Sequence, residues 1–100
     1  MFVLVSQNGP SLEEAEDLAR FHLTIESGVT DPATALGRWG TIDGDHAWVQ
    51  VDALRRAAAG RVGARWDADF AGMLSYAKEK GWLSADGSAI RAHIQPVATT

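Results

Sequence analysis

The dipeptide Asp43-Gly44 constrains this chain most. It sits between two strand-like segments, Arg38 to Ile42 and His46 to Val51, and a two-residue Asp-Gly loop provides the positive backbone angles that a tight hairpin requires. In the second segment Ala47, Val49 and Val51 share one side, with His46, Trp48 and Gln50 on the other. Side chains alternate across a strand, so the pattern predicts a sheet with one buried face. Such a face needs helices to cover it. The clearest helix starts at Asp67 as cap and ends at Gly81, with Phe70, Met73, Leu74 and Ala77 at buried spacing. A shorter one, Ala53 to Ala59, has Asp52 as cap and Gly60 as stop, and Leu54, Ala57 and Ala58 form its apolar stripe. Asp31-Pro32 reads as a cap followed by proline at the first helical position, and Gly37 ends that helix.

The first quarter reads differently. Phe2 to Val5 is predicted as a short edge strand stopped by Asn8-Gly9-Pro10. Ser11 stands three residues before Glu14, as in a capping box. Leu12, Ala15, Leu18, Ala19, His22 and Ile25 then recur every three or four residues, which predicts an amphipathic helix ending near Gly28. At the other end Trp82-Leu83 reads as a strand and Asp86-Gly87 as a turn. Ile90, Ala92 and Ile94 alternate with Arg91, His93 and Gln95 in a returning strand that Pro96 ends. The chain contains no internal repeat or linker. One domain over residues 1–100 is expected, with a core from about 11 to 95 and a loose tail at 96–100.

Composition narrows the classes. At 46% hydrophobic residues the chain is rich enough in apolar groups for a packed core. The absence of cysteine excludes disulfides, thiolate nucleophiles and cysteine-held metals. The apolar run Phe2 to Val5 falls far short of the ~20 residues that cross a bilayer, and no Lys or Arg precedes it as in a signal peptide. A cytoplasmic location without membrane contact is therefore expected. Charge is unevenly spread. Residues 1–52 hold nine acidic residues against Arg20 and Arg38, a net of −7. Residues 53–100 hold four acidic against seven basic, a net of +3. Opposite charge on the two halves fits either a basic face for nucleic acid or surfaces that attract each other within or between copies.

The element order from Leu12 to Ile94 (helix, strand, helix, helix, strand, turn, strand) resembles the winged helix-turn-helix family. The likeness is carried by Phe70, Met73, Leu74 and Ala77 before Gly81 and Trp82-Leu83, and by Trp48 to Leu54 running from strand into helix. The resemblance implies an α+β fold of winged-helix-like order with an additional N-terminal strand and hairpin, and a second helix that enters a major groove of double-stranded DNA. The outward positions of that helix are Asp67, Ala68, Asp69, Ala71, Gly72, Ser75 and Tyr76. Two carboxylates and no cation there oppose phosphate binding. Arg55, Arg56, Arg61, Arg65 and Arg91 are the alternative phosphate contacts. Gly60-Arg61-Val62-Gly63 between two helices also resembles the backbone-clamping loop of KH domains.

Few residues suggest catalysis. Asp43, Asp45 and His46 could supply oxygen and imidazole ligands, but the Asp-Gly turn accounts for them, so no metal or cofactor is assigned. His22, His46 and His93 lie on three separate elements, and a small enzyme or metabolite-binding protein would require them to converge. The leading expectation is a non-catalytic protein-interaction or self-associating module, with partner contacts at Trp48, Asp67, Asp69, Ser75 and Tyr76. Trp48 is the anchor, because it shares an outward strand face with His46 and Gln50. A DNA-binding regulator is the alternative.

Overall fold

The computed structural model describes residues 1–96; the expected loose tail from Val97 to Thr100 lies outside the described residues. Six strands form one mixed sheet: β1 (Phe2–Ser6), β2 (Gly9–Glu13), β3 (His22–Ile25), β4 (Gly40–Asp43), β5 (His46–Gln50) and β6 (Ala89–Pro96). Their order is β2-β1-β3-β6-β5-β4. β1 with β3 and β3 with β6 are parallel, and the other pairs are antiparallel. Three helices accompany the sheet: α1 (Pro32–Leu36), α2 (Val51–Ala58) and α3 (Trp66–Lys80). The fold is α+β.

One face of the sheet is the core. Val3, Val5, Leu12, Leu23, Ala47, Val49, Ile90 and Ala92 are buried there, and Leu36, Leu54 and Phe70 descend on them from the three helices. Burying each large side chain contributes about 1.5–3 kcal/mol. The indole of Trp66 stacks on Phe70 with ring centroids 4.6 Å apart.

Local signals explain several boundaries. Asp31 caps α1 as expected, its carboxylate accepting from the Thr34 backbone N–H at 3.3 Å and from the Thr34 hydroxyl at 2.7 Å. The expected hairpin forms with its loop one residue later: Asp43 ends β4 opposite His46, and Gly44-Asp45 make the two-residue turn with Gly44 at a φ of 61°. Gly81 takes a left-handed φ of 79° at the end of α3, a conformation that costs glycine least. The caps expected of Asp52 and Asp67 each shift two residues toward the N-terminus. Gln50 and Arg65 hold those positions, while the two carboxylates fall in the first helical turn, where the helix dipole favours them.

Other expectations are overturned. Residues 11–25 form no helix. Leu12 pairs with Val3 across the β1–β2 hairpin, Glu14 adopts a left-handed φ of 51°, and the chain re-enters the sheet as β3. β1 is not at an edge, because β2 and β3 flank it. The apolar spacing from Leu12 to Ile25 is compatible with a helix, but pairing on both sides of β1 satisfies more backbone groups and still buries Leu12, Ala15 and Leu23. Trp82-Leu83 contributes one bridge, Leu83 to Ile90, rather than a strand. The Asp86-Gly87 turn does form, held by the Ser84–Ala89 and Trp82–Arg91 backbone bonds, but it closes only a minimal hairpin while β6 pairs mainly with β3 and β5, and the winged-helix order is not confirmed.

Candidate functional site

The three helices bury one face of the sheet, and the alternation of each strand turns a second set of side chains to the other. Register aligns these across all six strands. Glu13 lies opposite Phe2, Phe2 beside His22, His22 beside His93, His93 opposite His46, and His46 opposite Asp43. All three histidines of the chain thus fall in one transverse row with a carboxylate at each end. Phe2 and His22 stack with centroids 4.9 Å apart and planes 8° from parallel. His46 and His93 meet edge to face at 5.9 Å. Burial is the main cause holding the His22 imidazole below its usual pKa range, and the terminal amine and His93 push the same way against Glu14. Among the described residues no group of three or more metal-ligating side chains is close enough to hold an ion.

Beside the row lies a cleft. Phe21, His46, Trp82, Arg91 and His93 line a cavity of about 170 Å³. A second cavity, of about 120 Å³, shares Phe21, Trp82 and Arg91 with it and adds Met73 and Tyr76 from α3. The Arg91 backbone N–H donates to the Trp82 carbonyl at 2.7 Å, which fixes the two residues side by side. Trp82 is 38% and Tyr76 53% exposed, and their rings meet edge to face at 6.0 Å. Large aromatics this open to water are potential anchors for a bound molecule.

The structure distributes the residues singled out in the sequence over several places. Trp48 points from the uncovered face and is paired in register with Arg91. Asp67 and Asp69 are exposed in the first turn of α3, and Ser75 and Tyr76 are exposed farther along it. Arg55 lies over the Phe70 ring at 5.3 Å, and Arg61 donates to the Ala57 carbonyl at 3.4 Å. Those two, with Arg56 and Arg65, occupy the α2–α3 end on the helical side, whereas Arg91, between buried Ile90 and Ala92, faces the opposite side of the sheet. The five arginines therefore form no single surface. Sequence reasoning missed Phe21 and gave Trp82 to the core. Alternation signalled that His46 and Trp48 share one side of β5 and that Arg91 and His93 share one side of β6, and the β5–β6 register joins the two sets.

No protein-family model, curated protein or solved structure matches this chain.

Proposed function

We propose that the protein is a non-catalytic, self-associating module that pairs with a second copy of itself through the uncovered face of its sheet. The transverse row carries this reading. It runs acid, aromatic, three imidazoles, acid, so a reversed copy offset by one strand sets an acid against an imidazole. When a second copy is turned about a two-fold axis along β3, Glu13 comes opposite the second copy's His46 and Phe2 opposite its His93, each contact occurring twice. Sheets that pack face to face keep their strands within about 30° of alignment, so the rows stay in contact, and isologous contacts of this kind are the commonest in homodimers. Phe2, Leu4 and Trp48, all half-buried in the single chain, supply apolar area. Binding to duplex DNA has less support, because the outward face of α3 opens with Asp67 and Asp69 and each polyanion contact needs a cation.

Light scattering after size exclusion, from about 10 µM to about 1 mM chain at low salt, tests the proposal, since weak dimers populate in that range. A concentration-dependent rise toward twice the monomer mass is expected. Glu13→Lys and His46→Glu should each weaken pairing, and an equimolar mixture of the two variants should recover it. A monomer throughout, or a dimer indifferent to both substitutions, overturns the proposal.

A further inference from the structure

We propose that the cleft between Trp82 and Arg91 binds a small aromatic carboxylate, with its ring against Phe21 and Trp82 and its carboxylate on the Arg91 guanidinium, flanked by His46 and His93. The inference does not rest on self-association and competes with it, because the paired form would set Glu13 and Phe2 of the second copy against the His46 and His93 that line this cleft.

Charge singles out this cleft. Of five cavities compared among the described residues, three are edged by carboxylates: Glu16 and Asp69 in one, Asp67 in another, Asp31 in a third. The two that meet at Phe21, Trp82 and Arg91 have none. In a chain of net charge −4, a place lined by one guanidinium and two imidazoles is where an anion finds attraction without a competing carboxylate. Arg91 is half-buried, and its planar fork matches a carboxylate in two parallel hydrogen bonds. A single permanent cation balances one negative charge, which favours a carboxylate over a phosphate dianion.

Shape sets the rest of the ligand. Phe21 and Trp82 belong to both cavities, so apolar walls run continuously from the imidazoles to Met73 and Tyr76. Volumes of about 170 and 120 Å³ lie below the ~300 Å³ at which sites for drug-sized molecules begin. One ring and one short acidic group fill such a space. The part-exposed indole of Trp82 lines both cavities beside Phe21, and aromatic pairs contribute beyond simple burial.

Phenylacetate is the probe, titrated into the uniformly ¹⁵N-labelled chain while the indole N–H of Trp82 and the backbone N–H of Arg91 are followed by NMR. Saturable shifts at both, with a Kd of about 1 mM or lower, are expected for a ligand of ten heavy atoms. Acetate and benzyl alcohol, each lacking one half of the chemistry, should bind at least about tenfold more weakly, and Arg91→Gln should lose about tenfold or more. Arg55→Gln, on the helical side, should leave the titration unchanged. Free aromatic acids and polypeptides ending in phenylalanine share this chemistry. A short peptide with that terminus separates them: tighter binding of its free-acid form than of phenylacetate assigns the site to chain ends, weaker binding to free acids, and both uphold a carboxylate site. The absence of saturable shifts up to about 20 mM, equal binding of benzyl alcohol, or indifference to Arg91→Gln overturns the proposal. A chain that stays monomeric yet binds phenylacetate would reject the paired-sheet reading and keep this one.

Discussion

The indole N–H of Trp66 donates to the backbone carbonyl of Ala15 at 2.6 Å, across 51 residues of sequence and wholly inside the protein. It ties the start of α3 to the loop that follows β2, the stretch whose helical spacing the fold overrides. Replacing Trp66 with Phe keeps a ring to stack on Phe70 and removes the donor. The Ala15 carbonyl is then buried without a partner, at a cost of about 1–3 kcal/mol. Urea unfolding should show the midpoint fall with an unchanged slope, and an unchanged midpoint would show the bond to be dispensable.

Gly40 admits no side chain. It opens β4 opposite Val49, and a methyl group built on it would lie 1.9 Å from the Trp48 carbonyl oxygen. That obstacle is backbone inside a paired strand and cannot rotate away. Gly40→Ala should therefore destabilise by at least the ~1–3 kcal/mol of ordinary overpacking. Loss of strand signal or a lower Tm checks this, and wild-type stability contradicts it.

Phe70 is fully buried under α3 and touches both Trp66 and the Arg55 guanidinium. Phe70→Ala should cost about 3–5 kcal/mol through lost burial and the cavity left behind. Denaturant unfolding measures it, and a loss below about 1 kcal/mol would mean that the site collapses to fill the space.

His22 makes stability depend on pH. Its imidazole is held below the usual value, so between that lowered pKa and the ordinary ~6.5 the unfolded chain binds more protons than the folded one. The contribution is fully present above about pH 6.5 and is lost as pH falls toward the folded-state value. His22→Gln should flatten the stability profile between about pH 7 and 5, whatever its effect on absolute stability. An equal slope in both proteins contradicts the assignment.

The parts of the fold that rest on local chemistry were legible in the sequence. Asp31 before Pro32, the glycine after Asp43 and the glycine after Lys80 each act within a few residues, and each makes the turn or terminus it signals, the hairpin loop falling one residue late. Residues 11–25 were misleading because their spacing suits a helix equally well. Pairing with β1 decides between the two, and that partner is distant from β3 in sequence. The histidine row was hidden for the same reason. Alternation shows which side of its own strand each histidine takes, but only the β3–β6 and β5–β6 registers bring them abreast. The cleft joins Phe21, from before β3, to Trp82 and Arg91, and no short-range pattern links those positions.

Because β6 lies between β3 and β5, the two hairpins that precede it in the chain have no common border until it arrives. Of the described elements, β6 comes last in chain order. A chain lacking residues 89–96 would hold its two strand sets together through α1 and α2, with the inner edges of β3 and β5 unpaired and open to misplaced pairing. Such long-range closure slows folding, so maturation should be limited by insertion of a single strand rather than by growth of the helices.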